Sequence, residues 1–299
     1  MPKKQSHYPV QRGAHLTVSG TSSQPIKLLD VGRELSKLNR RLYRQGRYYN
    51  VSISMDSDGS DKNYTVYALR DDWMVQKGYM HALQAYMDVT ADERENMSKA
   101  QVARWEDFRV AAGVTNDPVF ATQYDQNANP FLLALGEHAL STVVDDAGGS
   151  RTFSWFPTGS ATTYSILEEY DKAGNAQASP ESLVPGSAGP YAGLTPGNDG
   201  ATYTNLESKG DVPPYDQDGV NAATPWTRVG VLRSGTGGEQ RLSTGFFTAP
   251  CGLVLIVPNS ASDTMGNVAF ETKAGNYKGV HALPMAEMSK INRKRTVVK

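Results

Sequence analysis

The chain has 299 residues, of which 39% are hydrophobic and 20% are charged, with a formal net charge of −1 and one cysteine, Cys251. A chain of this length and composition can bury a sizeable core, which excludes wholesale disorder, and one cysteine excludes an intrachain disulfide framework. There is no run of about 18 apolar residues, and residues 1–6 do not begin a signal peptide. We therefore expect a soluble protein that has no membrane partner.

Charge is segregated along the chain. Residues 1–50 carry ten Lys or Arg and two acidic residues, a net of +8, and residues 289–299 carry five basic and no acidic residues. Residues 51–288 hold the other 15 basic and 29 acidic residues, a net of −14. Basic ends on an acidic body are typical of tails that neutralise phosphates, which predicts salt-sensitive, sequence-tolerant binding of nucleic acid. Charged ends that are merely solvated are the alternative.

The residues predicted to contact phosphates come from both basic ends. They are Lys3, Lys4, Arg12, Arg33, Lys37, Arg40, Arg41, Arg44, Arg47, Lys290, Arg293, Lys294 and Arg295.

Residues 1–47 are predicted to form a basic N-terminal arm. Pro and Gly interrupt every periodic pattern in residues 1–27, which indicates irregular structure. Residues 30–44 have the spacing of an amphipathic helix that Asp30 caps and Gly46 ends. Four basic residues share one side of the helical wheel: Arg33, Lys37, Arg40 and Arg44. Apolar residues share the other side: Val31, Leu35, Leu38 and Leu42.

We expect the apolar side of this helix to pack on the body or on a neighbouring subunit, and its basic stripe to face nucleic acid. An ordinary surface helix with a solvated basic side is the alternative.

The body is predicted to span residues 48–288 and to begin with two strands. Residues 48–55 alternate between apolar and polar side chains, and residues 63–69 have a similar pattern. The turn between them contains Asp56, Asp58 and Asp61, but its spacing lacks the order of an EF-hand loop and its terminal Glu. We interpret it as a hairpin turn, with calcium bridging between subunits as the alternative.

Two further segments of the body differ from strands. Residues 71–112 are predicted to be a helical insertion, with one helix from Trp73 onward and a second opened by a capping box at residues 90–93. Residues 171–224 are dominated by Gly, Pro and small polar residues, which indicates a long loop at the exterior or at a subunit contact.

The last third of the body has short apolar runs at regular intervals, separated by turn residues. These runs are residues 227–232, 240–247, 252–257, 268–272 and 277–283. Regular spacing of this kind is typical of an all-β sandwich, so the predicted fold class is mainly β. Residues 289–299 remain as a basic C-terminal tail.

No catalytic constellation is evident. The five histidines are dispersed, there is no Gly-x-Ser-x-Gly elbow, and Cys251 has no histidine nearby, so it is expected to be a small buried apolar residue. We therefore predict no enzyme, no cofactor and no metal. A carbohydrate-binding β-sandwich is a rival, because Trp155 and Trp226 could stack on sugars, but it leaves the charge segregation unexplained.

Two passages carry a family resemblance. Residues 38–55, LNRRLYRQGRYYNVSISM, join a basic segment directly to a strand, and residues 242–257, LSTGFFTAPCGLVLIV, contain two late strands. They resemble the junction of arm and jelly roll, and a late strand pair, in capsid proteins of small circular single-stranded DNA viruses of eukaryotes, of the circovirus-like or bacilladnavirus-like kind. The chain lacks the long arginine-rich N-terminal run of circovirus coats.

The resemblance implies a viral jelly-roll β-sandwich that assembles with copies of itself into an icosahedral shell and packages a single-stranded DNA genome. It implies location in the virion, and in the host nucleus if the tail at residues 289–299 is an import signal. The host receptor is unknown. Packaging of RNA is the alternative, because neutralising a phosphate backbone does not distinguish the two nucleic acids.

Overall fold

The structure is a computed structural model of the whole chain. It describes residues 9–17, 27–55, 62–96, 106–112, 121–123, 139–144, 148–155, 163–167, 169–170, 225–235, 240–259 and 268–285. The predicted loop at residues 171–224, the aspartates Asp56, Asp58 and Asp61, and the tail at residues 289–299 lie outside these ranges.

Strands dominate the described ranges. The elements before residue 100 are β1 Gly13–Thr17, β2 Lys27–Asp30, α1 Val31–Asn39, β3 Arg47–Met55, β4 Lys62–Leu69, α2 Trp73–Val89 and α3 Ala91–Asn96. Short strands follow: β5 Ala121–Gln123, β6 Thr142–Val144, β7 Ser150–Ser154 and β8 Thr163–Ser165. The last elements are β9 Trp226–Ser234, β10 Ser243–Pro250, β11 Leu253–Pro258, β12 Val268–Thr272, β13 Ala274–Gly275, β14 Gly279–Val280 and β15 Ala282–Pro284.

Within the described part of the chain, two larger sheets form the body. One runs in the order β10-β3-β12-β1-β5, with β15 also paired to β3, and the other runs β2-β11-β4-β9. Two small sheets, β6-β7-β8 and the β13-β14 hairpin, accompany them. Every pairing in the two larger sheets is antiparallel.

The pairings of the two larger sheets are nested along the chain. β1 pairs with β12, β2 with β11, β3 with β10 and β4 with β9. β12 also pairs with β3, and β11 also pairs with β4, which joins two nested pairs within each sheet. The chain is therefore folded as one long hairpin whose paired segments alternate between the two sheets.

One hydrophobic core lies between the two sheets. In β3, the side chains of Tyr49, Val51, Ile53 and Met55 alternate with polar ones and are at most 4% exposed. They share one cluster with buried residues of both sheets, which include Leu16, Val66, Ile256 and Phe270. Burying each such side chain stabilises the fold by roughly 1.5–3 kcal/mol. The two sheets thus pack face to face as a β-sandwich, and the predicted alternation of residues 48–55 is confirmed.

The outer face of the four-stranded sheet is covered by a second core. Leu28, Leu253 and Leu255 of this sheet share a cluster with Tyr79 of α2 and with Trp155, which is fully buried. Strand β11 is consequently buried on both faces, which explains its continuous apolar run, because each neighbouring side chain meets a different core. The outer face of the six-stranded sheet is more polar, as Ser52 and Ser54 illustrate.

The prediction of an irregular arm through residue 27 is wrong in part. β1 and β2 are members of the two larger sheets, so the sandwich begins before residue 48, where the predicted body starts. Gln11 and Asn39 also exchange two hydrogen bonds of 2.9 Å between side-chain amide and backbone. The sheets therefore incorporate described residues of the predicted arm.

A tight turn carries the chain from one larger sheet to the other. Gly252 N–H donates to the Ala249 carbonyl at 3.1 Å, and Cys251 and Gly252 have φ of +57° and +66°. Pro250 and the positive φ of Cys251 suit the two central positions of a type II turn. A Cβ at Gly252 would lie 2.9 Å from Cδ2 of the Tyr49 ring and 3.2 Å from Cβ of Val31.

We predict that Gly252→Ala destabilises the protein more than Gly245→Ala, the matched control. Gly245 has a similar φ of +70° but open space around its Cβ position, so its substitution costs only the backbone strain, about 1–2 kcal/mol. Gly252→Ala adds overpacking against Tyr49, on the order of 1 kcal/mol or more. Urea denaturation followed by tryptophan fluorescence measures both, and equal losses would contradict the close packing at this turn.

Candidate nucleic-acid interface

Helix α1 is shorter than the sequence predicts. Asp30 caps it as expected, because its Oδ1 accepts from the Arg33 backbone N–H at 2.9 Å. The helix ends at Asn39, since Arg40 adopts a left-handed conformation with φ of +51°. Ser36 stabilises this ending, because its Oγ accepts from the Tyr43 N–H at 2.8 Å. The predictions of a helix to residue 44 and of Gly46 as its end are therefore wrong.

The predicted basic stripe is not a single exposed face. Lys37 donates from Nζ to Glu34 Oε1 at 2.7 Å, and their side chains are only 8% and 3% exposed. Arg33 is half-buried, whereas Arg40 and Arg44 are exposed but lie beyond the end of α1. The amphipathic character of the helix is present in its buried Val31 and Leu35, but its basic residues serve different roles.

A buried ionic network holds the segment that follows α1. Arg109 pairs with Asp30 through its Nη2 and approaches Asp107 at 3.9 Å, and all three side chains are at most 6% exposed. Asp107 Oδ2 accepts from the Gln45 N–H at 2.8 Å. The Gln45 side chain in turn exchanges two hydrogen bonds with the backbone of Val110. The loop at residues 40–46 is thereby fixed to the segment at residues 106–112.

The β13-β14 turn contacts this loop through Tyr277 and Lys278. The Tyr43 hydroxyl donates to the Lys278 carbonyl at 2.9 Å, and the Arg44 N–H donates to the Tyr277 hydroxyl at 3.1 Å. The Arg47 guanidinium stacks on the Tyr277 ring, with Cζ 3.4 Å from the ring centre. We call Arg44, Arg47, Tyr277 and Lys278 the basic turn cluster.

The cluster is electrostatically crowded. Burial, followed by the positive charges of Arg44, Arg47 and Arg41, lowers the pKa of Lys278 from its ordinary value. Lys278 also has a left-handed φ of +49°, and its Nζ donates to the Leu42 carbonyl. Cations held this close together favour a bound anion, because an anion relieves their mutual repulsion.

A groove of about 420 Å³ runs beside the cluster. Arg44, Arg47 and Arg94 line it together with two acidic residues, which are the partners of Arg44 and Arg94. Arg94 pairs with Glu106, and Arg44 Nη1 lies 3.5 Å from Asp107 Oδ1 with its side chain 54% exposed. The exposed guanidinium of Arg44 remains accessible to a phosphate, since a loose, exposed ion pair is weak.

The structure brings together only some of the predicted phosphate-binding residues. Arg44 and Arg47 belong to the basic turn cluster, and Arg41 contributes to its field. Arg12 is exposed just before β1, and its carbonyl accepts two hydrogen bonds of 2.8 Å from Thr272. The remaining terminal residues lie outside the described ranges: Lys3, Lys4, Lys290, Arg293, Lys294 and Arg295.

Sequence reasoning missed Tyr277 and Lys278. The Asn-Tyr-Lys-Gly sequence at residues 276–279 is a local turn signal, but it contains a single charge and no basic run. Its place beside residues 40–47 follows from contacts between segments more than 230 residues apart. Only the tertiary fold could therefore identify these two residues.

Among the described residues, no group of three or more His, Cys, Asp and Glu side chains could hold a metal ion. Trp155 is fully buried and Trp226 is 7% exposed, so neither can stack on a sugar as the carbohydrate-binding alternative requires. Cys251 is buried, its Sγ lies 3.5 Å from Met285 Sδ, and burial raises the pKa of its thiol well above the ordinary value.

Comparisons with known proteins found no relative. No protein-family model matches the chain, and neither a curated protein nor a solved structure matches it. In the part of the chain that the structure describes, no helix has the length and apolar character needed to cross a membrane.

We predict that Asp107 makes stability depend on pH. Burial raises the pKa of Asp107 above its ordinary 3.8, and the hydrogen bond from the Gln45 N–H and the charges of Arg109 and Arg44 offset only part of this rise. The folded state therefore binds more protons than the unfolded state between 3.8 and the raised pKa, so the contribution of Asp107 to stability falls as pH rises through that window. Asp107→Asn keeps an acceptor for the Gln45 N–H and removes this effect.

Urea denaturation of both proteins at several pH values measures the effect. The free energy of unfolding of Asp107→Asn should rise relative to wild type as pH increases through the window. Glu271→Gln, at an exposed position of β12, controls for the loss of one negative charge. A relative free energy that falls with pH would mean that attraction to Arg109 outweighs burial.

Proposed function

We propose that the protein is a coat protein that assembles with copies of itself into a closed shell and packages single-stranded nucleic acid. In this proposal eight of the ten strands in the two larger sheets, those of the four nested pairs, are a jelly roll. The basic turn cluster and the basic chain ends neutralise the cargo. The resemblance of residues 38–55 and 242–257 to coats of small circular single-stranded DNA viruses of eukaryotes supports the DNA form of the proposal.

The observation that carries the proposal is the nested strand pairing. A jelly roll is two Greek keys, in which a long hairpin wraps so that its eight strands form two packed four-stranded sheets. Here a sheet in the order β1-β12-β3-β10 faces a sheet in the order β2-β11-β4-β9. The first of these eight strands along the chain pairs with the last, the second with the seventh, the third with the sixth and the fourth with the fifth. Viral coats and lectins share this architecture, so the fold alone does not decide between them.

The helices support the same assignment. α2 and α3 lie between β4 and β9, in a connection of more than 150 residues between the fourth and fifth strands of the roll. α2 packs Met74, Val75 and Tyr79 into the second core on the outer face of the four-stranded sheet. We interpret them as an insertion that elaborates a minimal roll.

Charge and aromatic rings favour nucleic acid over a carbohydrate as the ligand. Arg44, Arg47 and Lys278 provide cations for the backbone, and Tyr277 provides a partly exposed ring beside them. Alternating cations and aromatic rings are the usual means of binding single strands without sequence preference. The buried state of Trp155 and Trp226 removes the observation that favoured a carbohydrate. RNA remains the alternative cargo, since these contacts would serve either backbone.

The remaining parts of the proposal follow from this function. Its partners are further copies of the chain and a single-stranded genome, its location is the virion, and it involves no enzymatic activity. The basic tail at residues 289–299 either shares the packaging role or directs the protein to the host nucleus.

We predict that Arg44→Gln and Lys278→Gln each weaken binding of a single-stranded oligonucleotide by roughly tenfold at low salt, and that the effects combine. Each lost phosphate contact should also reduce the slope of log affinity against log salt by about 0.7. Fluorescence anisotropy with labelled oligothymidylate over a salt series measures both quantities.

Lys77→Gln is the matched control, because Lys77 is an exposed cation on α2 and is not among the residues that line the groove beside the basic turn cluster. It should leave affinity and slope unchanged. If the folded double variant binds with the affinity and salt slope of wild type, the basic turn cluster is not the interface. A slope that falls for Lys77→Gln as well would indicate binding to general surface charge.

A further inference from the structure

A second group of arginines lies at the β9 edge of the four-stranded sheet. Arg228, Arg233 and Arg241 line one open cleft of about 680 Å³. Three side-chain amides line the same cleft, those of Asn63, Gln240 and Asn259. No acidic residue is among the described residues that line it.

Backbone hydrogen bonds hold two of these arginines next to each other although their charges repel. Arg233 and Arg241 are directly opposite each other, because each backbone N–H donates to the carbonyl of the other at 2.9 Å. Side chains at such opposed positions share a face, with Cβ atoms about 4.5–5.5 Å apart, and like charges there are destabilising. No ion pair with a described acidic residue offsets the charge of Arg228, Arg233 or Arg241.

The side chain of Arg241 occupies space that is open because Gly230 has no side chain. Its guanidinium lies over Gly230, with Nη2 3.5 Å from the place where a Cβ would be. Its Nε donates to the Ser243 carbonyl at 3.4 Å. This arrangement orders one guanidinium across β9 before any ligand is present.

The amides add donors between the cations. The Asn259 Oδ1 accepts from Thr65 Oγ1 at 2.6 Å, which leaves its Nδ2 to donate. Asn63 is directly opposite Arg233 on β4, so an amide and two guanidinium groups form a row across three adjacent segments. Planar guanidinium forks and amide donors match the geometry of tetrahedral oxyanions.

We propose that this cleft is a binding site for a ligand with adjacent phosphate or sulfate groups, which are oxyanions of the same shape and charge. The cleft is larger than a single such group, so two linked groups are expected to bind more tightly than one. No aromatic residue is among the described residues that line the cleft, which distinguishes it from the basic turn cluster and argues against a stacked base. The site does not depend on the proposed packaging function.

Isothermal titration calorimetry of the full-length chain at constant ionic strength tests the proposal, with inorganic pyrophosphate, phosphate and sulfate as probes. Pyrophosphate should bind more tightly than phosphate or sulfate. Arg233→Gln should weaken pyrophosphate binding about tenfold or more, and Arg233→Lys should restore only part of it, because lysine keeps the charge but loses the fork.

Lys77→Gln is the control, and its pyrophosphate affinity should be unchanged. Arg44→Gln separates the cleft from the basic turn cluster, because loss of the tight pyrophosphate binding in Arg44→Gln rather than in Arg233→Gln would assign that binding to the basic turn cluster and overturn the proposal. Absence of pyrophosphate binding to wild type would overturn the proposal, as would equal affinity for Arg233→Gln and wild type. Tight binding of a hexaglutamate peptide without binding of pyrophosphate would identify a site for acidic protein segments and would also overturn it.

Discussion

The buried pair of Asp30 and Arg109 determines how the basic part of the molecule is held. Asp30 ends β2, caps α1 and accepts the guanidinium of Arg109, so one carboxylate joins a strand, a helix and the segment at residues 106–112. Removing one partner of such a pair typically costs about 3–5 kcal/mol, because the other charge stays buried and unpaired. The loop at residues 40–46 depends on this pair, since Gln45 is bound to the same segment.

The two cores give the two larger sheets different roles. In the four-stranded sheet, β11 is buried on both faces, whereas the six-stranded sheet has one more polar face. Charged groups therefore collect at the ends and edges of the sandwich. One collection, at the α1 and β13-β14 end, combines cations with tyrosine rings, and the other, at the β9 edge, combines arginines with amides.

Local patterns predicted those elements whose burial is itself local. β3 alternates because one of its faces meets the core, and the apolar run of β11 indicates a strand buried on both faces, so both were predictable. β1 and β2 were not, because they have five and four residues beside Gly and Pro, and their stability comes from pairing with strands over 220 residues away. The helical wheel placed Arg44 on the same face as Lys37, but α1 ends at Asn39, before Arg44. The contact of Ser36 with Tyr43 that stabilises this end cannot be predicted from the spacing of apolar residues. Lys278 and the arginine cleft likewise required long-range pairing.

In the proposed function, copies of the nested eight-stranded sandwich build a shell around nucleic acid. Electron microscopy of the purified chain, mixed with single-stranded DNA over a range of salt concentrations, tests this assembly. We expect uniform closed particles that contain the DNA and form more readily as salt is lowered, because screening of the cations weakens. A protein that stays monomeric under every condition, with or without DNA, would contradict it.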